Sequence, residues 1–244
     1  MRGAGCTVND LWDRRLDRQV ARTANRPLAA GQLTVFPQAV GFLALQLSVG
    51  LGVLLSLPHT GCCFQWGCLS LPLVAIYPAT KRFFAYPQLV LGLTFNWGAL
   101  MGFAAVHGSV LDVASVVAPL YFSGVTWTLV YDTLYAHQDK EDDAKLELQS
   151  TALTFGASEE RQRRILHGLA AATYLQWLLV GYQADLALFP FAAGATAAYS
   201  HLVWQIQTAE FDNPHNLAER FRSNSTVGGI VFASLVAGKY FAAV

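Results

Sequence analysis

The stretch Tyr131-Asp132-Thr133-Leu134-Tyr135-Ala136-His137-Gln138-Asp139-Lys140-Glu141-Asp142-Asp143 closes a long apolar run and gathers five acidic residues at its end. Asp139 and Asp143 stand four apart, so on a helical turn they share a face. Like charges held that close are unfavourable unless a cation lies between them. Carboxylate oxygens so arranged suit Mg²⁺, which takes one or two carboxylates and completes its shell with water or phosphate. The same spacing recurs near the N-terminus, in Asn9-Asp10-Leu11-Trp12-Asp13-Arg14-Arg15-Leu16-Asp17, through Asn9, Asp13 and Asp17. The two stretches predict a pair of Mg²⁺-carboxylate clamps facing each other across one diphosphate. Asp13, Asp17, Asp139 and Asp143 are the candidate metal ligands and catalytic residues, and the rest of the chain is their scaffold.

That scaffold reads as a membrane protein. The chain is 54% hydrophobic and only 13% charged, with a mean hydropathy of +0.36. Soluble domains average about 25% charged residues. Seven apolar runs, at 33–57, 62–79, 87–106, 113–135, 165–182, 186–206 and 226–243, have the length and composition of bilayer-spanning helices. They predict an all-α, multi-span transmembrane helical bundle forming a single domain over 1–244. Residues 1–31 are polar and basic, with Asn25-Arg26-Pro27 and Ala30-Gly31 expected to stop a helix. Residues 136–164 read as a charged loop. If the runs alternate across the membrane, every Lys and Arg except Lys239 falls on the side of the N-terminus. This is the asymmetry of the positive-inside rule, and both acidic stretches land on that basic side.

Each candidate has a plainer reading beside it. A lone D-x-x-x-D is more often a solvated charge run than a metal clamp. Two of them on one side of a membrane chain, where carboxylates are rare unless they face a cavity or a partner, favour the clamp. Arg22, Arg26 and Lys81, the last in Tyr77-x-x-x-Lys81, are candidate diphosphate-binding cations. Lys81-Arg82 also suits plain anchoring at the interface. Asn96, inside Gly92-Leu93-Thr94-Phe95-Asn96-Trp97-Gly98, needs a polar partner in hydrocarbon. That partner is either the substrate cavity or, more commonly, a neighbouring helix. Tyr135 and the tryptophans could stack on a cation or an aromatic ring, although such residues usually serve packing. Cys62, Cys63 and Cys68 lack paired ligand spacings and read as buried, inert thiols. Asn224-Ser225-Thr226 reads as a helix N-cap or a chance sequon. Zero net charge gives no sign of nucleic acid. No Ser-His-Asp order or Gly-rich phosphate loop supports a hydrolase or a nucleotide-binding protein.

At these residues the chain resembles the UbiA superfamily of intramembrane prenyltransferases. Asn9/Asp13/Asp17 is similar to its N-x-x-x-D-x-x-x-D motif, Asp139/Asp143 to its later D-x-x-x-D, Arg22-Thr23-Ala24-Asn25-Arg26-Pro27-Leu28 to the segment after the first motif, and Tyr77/Lys81 to its Y-x-x-x-K. Tyr131-Asp132-Thr133-x-Tyr135-Ala136-x-x-Asp139 and Gly92-Leu93-x-x-x-Asn96-Trp97-Gly98 look most like members acting on 4-hydroxybenzoate. The resemblance implies Mg²⁺-dependent transfer of a polyprenyl group from polyprenyl diphosphate to the ring carbon ortho to the hydroxyl of 4-hydroxybenzoate, a step of ubiquinone biosynthesis. It implies a multi-pass protein of the mitochondrial inner membrane, its acidic motifs facing the matrix, associated with other ubiquinone-biosynthesis proteins. Asn9, Arg22, Arg26, Lys81, Arg82, Asn96 and Tyr135 would be substrate-binding, with Arg82 a candidate for the benzoate carboxylate. The alternatives are a sibling prenyltransferase with another aromatic acceptor and, further off, a transporter or cation channel. The family fold has nine helices, the first motif following the second of them. The expectation is therefore about seven helices here, without the first and most of the second.

Overall fold

A computed structural model describes residues 2–20 and 23–243. Among the described residues the chain is all-helical: α1 (Arg2–Asp17), α2 (Val40–Ser56), α3 (Thr60–Thr80), α4 (Pro87–Phe95), α5 (Trp97–His107), α6 (Ala114–Ala136), α7 (Lys140–Lys145), α8 (Thr151–Thr154), α9 (Glu159–Gln183), α10 (Leu188–Thr208), α11 (Pro214–Arg222) and α12 (Asn224–Ala242). All seven apolar runs are helical where the sequence places them. The third is broken at Asn96 into α4 and α5.

Five stretches are long and apolar enough to cross a membrane: Val35–Ser56, Thr60–Thr80, Pro87–His107, Ala114–Lys145 and Pro214–Ala242. The other two predicted spans are α9 and α10, which have the length but carry more polar residues. α9 opens on Glu159, Glu160, Arg161, Arg163 and Arg164, and α10 carries Ser200, His201, Gln205 and Gln207. Both helices pack on protein, α9 against α6 and α10, and α10 against α9 and α12, which lets a span carry more polar residues than one surrounded by lipid.

α6 is the spine. On one side its Val130 and Leu134 join Leu166, Trp177, Leu202 and Leu217 in a core built with α9–α12. On the other, its Val117, Tyr121 and Val125 join Cys63, Leu100 and Ala104. α2 lies at the edge of this packing, with no buried residue of its own and Leu54 packed, partly buried, against the second core. α4 approaches α6 very closely: a Cβ on Gly92 would stand 3.2 Å from the Val125 backbone. Small residues let membrane helices gain dispersion contact where burial from lipid supplies no hydrophobic driving force.

The connections sort to two ends. His59, between α2 and α3, meets Gly108, between α5 and α6, so closely that a Cβ on Gly108 would lie 2.6 Å from the His59 ring. The α3–α4 turn lies instead with the segment after α7, through Gln149 N–H to Lys81 O at 2.7 Å and Thr154 Oγ1 to Ala85 O at 2.6 Å.

Several expectations are corrected. α1 stops at Asp17, not near Gly31. The chain then folds back because Val20, Leu28 and Ala29 are buried. Arg14 Nε and Arg18 Nε donate to Leu28 O and Ala29 O, at 3.2 and 2.7 Å. The expected charged loop at 136–164 contains α7, α8 and the start of α9. Of the cysteines, Cys63 is buried but Cys68 is exposed on the outer face, because a helix that contacts protein on one side presents the other outward. Asn224 accepts a 2.8 Å bond from Trp127 Nε1 and does not cap α12.

Candidate active site

One cavity lies at the end of the bundle where the α3–α4 turn and the α6–α8 segment meet α1. α1 contributes Asn9, Asp13 and Asp17, which the four-residue spacing sets on one face. α6 runs into a 3₁₀ turn, His137–Asp139, and then α7. This nearly continuous helical track delivers Asp132, Tyr135, Asp139 and Asp143 to the same space. Asp139 and Asp143 are buried, at 8% and 3% exposure. The last turn of α3 brings Tyr77, the residues just past its end bring Lys81 and Arg82, and Arg26 enters from the turn after α1. Both acidic stretches and three of the four predicted cations therefore line one cavity. Arg22 lies outside the described residues.

The cations already engage the first acidic stretch. Arg26 Nη1 donates to Asp10 Oδ1 at 2.9 Å and to Asp17 Oδ2 at 3.1 Å. Arg82 Nη2 donates to Asp13 Oδ1 at 3.0 Å, while its Nη1 holds Pro78 O at 3.2 Å. Lys81 lines the same wall, and its charge bears on Asp13. Burial pushes the Asp13 carboxyl above the ordinary aspartate range and Asp17 adds to the effect; Arg82 and Lys81 offset it in part. Asp10 is also raised, chiefly by burial, against the pull of Arg26. Burial penalises the charged form of both carboxylates, which favours either a proton or an added cation beside them.

The donor set is all oxygen and carboxylate-rich, which fits a hard cation. Among the described residues no three His, Cys, Asp or Glu converge closely enough to hold a metal alone. Mg²⁺ does not require such a cage, since it keeps several waters and is commonly held by one or two carboxylates together with substrate phosphate.

The wall behind the acids is pinned. Gln88, buried, accepts from Thr151 N–H at 3.0 Å through Oε1. Thr151 Oγ1 pairs with Thr133 Oγ1 at 2.7 Å, tying α8 to α6. Tyr135 faces the cavity and packs on Phe221 of α11, ring centroids 4.4 Å apart. Asn96 is placed elsewhere. Its Nδ2 donates to Gly92 O at 2.8 Å and Thr128 Oγ1 at 2.9 Å, making it a bond between α4 and α6 and not part of the cavity lining.

Among the lining residues that sequence reasoning did not name as candidates are Asp132, Tyr77 and Gln88. Asp132 stands seven before Asp139, two helical turns, and that spacing could have found it. Tyr77 was visible in Tyr77-x-x-x-Lys81. Gln88 carried no local signal, because it is defined by a contact with Thr151, far off in sequence.

The fold and this cavity define a polytopic membrane helical bundle with an acidic, cation-rimmed site at one end. The chain belongs to the UbiA prenyltransferase family, whose pattern matches residues 1–226. A protein of Rattus norvegicus named "4-hydroxybenzoate polyprenyltransferase, mitochondrial" is 49% identical over 241 residues, covering 99% of this chain and 62% of its own length. Proteins of the same name from Homo sapiens and Arabidopsis thaliana are 49% and 48% identical, covering 98% and 99% of this chain and 62% and 57% of their own lengths. The chain thus spans about three-fifths of the length of these relatives. In fold it is similar to the apo structure of a UbiA homologue from Aeropyrum pernix K1, with a TM-score of 0.80 at 21% identity, covering 96% of this chain and 84% of that one. A digeranylgeranylglyceryl phosphate synthase structure matches at a TM-score of 0.65 and 16% identity, covering 96% and 80%.

Proposed function

We propose that this chain carries out Mg²⁺-dependent transfer of a polyprenyl group from polyprenyl diphosphate to the ring carbon ortho to the hydroxyl of 4-hydroxybenzoate, a step of ubiquinone biosynthesis. The observation that carries the reading is the convergence of Asp13, Asp17, Asp139 and Asp143 with Arg26, Lys81 and Arg82 on one cavity. The name shared by relatives at 48–49% identity supports the acceptor and the pathway.

In this reading Asp13, Asp17, Asp139 and Asp143 hold Mg²⁺, with Asn9 as a neutral oxygen donor and Asp132 beside them. Bound Mg²⁺ supplies Lewis-acid stabilisation of the leaving diphosphate. Arg26, Lys81 and Arg82, with Arg22, donate to phosphate oxygens and neutralise charge as it develops. Tyr135, held by Phe221, offers a ring face to the allylic carbon or the acceptor. The apolar spans bury the isoprenoid tail, each methylene removed from water contributing about 0.8 kcal/mol. The site lies in the mitochondrial inner membrane and opens toward the matrix, as the lysine and arginine asymmetry and the mitochondrial relatives favour.

The test is a membrane assay with the expressed chain, polyprenyl diphosphate, labelled 4-hydroxybenzoate and Mg²⁺. A lipid-extractable labelled product that disappears with chelator is expected. Product only with another hydroxyaromatic acid would move the acceptor to a sibling chemistry. No product with any aromatic acceptor would overturn the reading.

A further inference from the structure

Arg26 engages two carboxylates through a single nitrogen. Its Nη1 donates to Asp10 Oδ1 at 2.9 Å and to Asp17 Oδ2 at 3.1 Å. Asp10 and Asp17 are seven apart on α1, so they lie on one face two turns apart. Asp17 and Arg26 line the cavity, whereas Asp10 does not. Asp10 also stands outside the four-residue spacing of Asn9, Asp13 and Asp17. The diphosphate reading therefore gives Asp10 no task, yet it is half of the clamp on Arg26. Arg82, by contrast, holds a single carboxylate, Asp13, at 3.0 Å, and uses its other terminal nitrogen on Pro78 O.

A guanidinium and a divalent cation compete for the same carboxylate oxygens. When Asp17 turns to the metal, Arg26 loses one of its two partners. An arginine side chain left without an anchor regains its rotamer freedom and leaves the wall. Asp10, outside the cavity, keeps hold of it. The guanidinium has five N–H donors and the two contacts use only Nη1, so the others remain for phosphate oxygens.

We propose that Arg26 is the resident counter-ion of Asp17, handed to the diphosphate when the metal arrives, and that Asp10 is the positioning residue that keeps Arg26 at the cavity through this exchange. This rests on the Mg²⁺–diphosphate reading above and adds an order to it. Mg²⁺ alone binds weakly, because it must displace a guanidinium that has no new anion to meet. Pyrophosphate supplies that anion, so the two ligands bind with positive coupling, each raising the affinity for the other by the same factor.

The test uses the full chain in lipid nanodiscs, titrated with Mg²⁺ alone and with Mg²⁺ plus inorganic pyrophosphate, followed by calorimetry. In Arg26→Gln, Mg²⁺ alone binds more tightly while pyrophosphate binds about tenfold more weakly, as expected for loss of a charge-assisted bond. Asp10→Asn leaves Arg26 and every motif residue in place. It weakens pyrophosphate binding severalfold at saturating Mg²⁺, and Asp10→Glu restores it. Should Arg26→Gln fail to fold, the Asp10 pair decides alone. Normal pyrophosphate affinity in Asp10→Asn, with only a lowered melting temperature, overturns the hand-over and leaves the diphosphate reading intact. Equal weakening of both ligands in Arg26→Gln does the same. A wild-type chain that binds neither ligand overturns both readings.

Discussion

Asp13 is the residue on which the chemistry and the electrostatics meet most clearly. Burial raises its carboxyl above the ordinary aspartate range and Arg82 offsets this only in part. Mg²⁺ bound there, as proposed, would compete with a proton, so its affinity should fall on acidification at a pH above that at which free aspartate titrates. Removing the main offsetting charge with Arg82→Gln should move that midpoint higher; titrations of Mg²⁺ with pyrophosphate across pH would show both. The metal-free stability has the opposite sign from a salt-bridged carboxylate whose pKa is depressed. Because the pKa values of Asp10 and Asp13 are raised on folding, the folded chain binds the proton more readily than the unfolded chain. These two groups contribute stability that is fully present below the ordinary aspartate pKa and is lost as pH rises through their folded values. Thermal unfolding in detergent should show it for wild type and lose it in the Asp10→Asn, Asp13→Asn double variant. At this scale the acids were legible because a spacing of four on a helix fixes a shared face. The Arg26–Asp10 and Arg82–Asp13 pairs were not, since they depend on how the turn after α1 folds back and where α3 ends.

At the scale of the element, the α4–α6 contact decides whether the wall of the cavity stays in place. A Cβ on Gly124 would meet Asn96 Oδ1 at 2.3 Å and Asn96 Cβ at 3.0 Å, leaving the amide no room. Gly124→Ala should therefore force Asn96 off Thr128 and cost about 1–2 kcal/mol in lost hydrogen bonding and overpacking. It should lower the melting temperature without changing the ligands of the site, as thermal unfolding and Mg²⁺–pyrophosphate titration together would show. Asn96 illustrates what sequence can and cannot settle. An amide in an apolar run announces that it has a partner, but period and composition do not say whether that partner is substrate or Thr128. The seven helical runs were legible for a stronger reason: in lipid every backbone polar group must be paired within the segment, so an apolar run of that length has little choice but helix. The short helices α7 and α8 were hidden, because their stability comes from contacts such as Thr151 with Gln88 and Thr133 and not from local propensity.

At the scale of the whole molecule, the bundle separates two chemistries, a charged end and an apolar body. Connections that alternate ends place Lys81, Arg82, α7 and the α11 arginines with the cavity, and His59 and Gly108 away from it. In a cysteine-light background, Glu141→Cys and Asp112→Cys, both at exposed positions, should be labelled from opposite sides of sealed vesicles by an impermeant thiol reagent. Labelling of both from one side would contradict the alternation. The central claim is that two acidic stretches, more than a hundred residues apart in sequence, form one binding site. The most direct measurement is Mg²⁺-dependent pyrophosphate affinity in Asp13→Asn, Asp139→Asn and the double variant. Groups acting as a unit are strongly non-additive, so each single change should remove nearly all binding and the double variant should lose little more. Wild-type affinity in either single variant, or simple additivity of the two, would contradict a shared site.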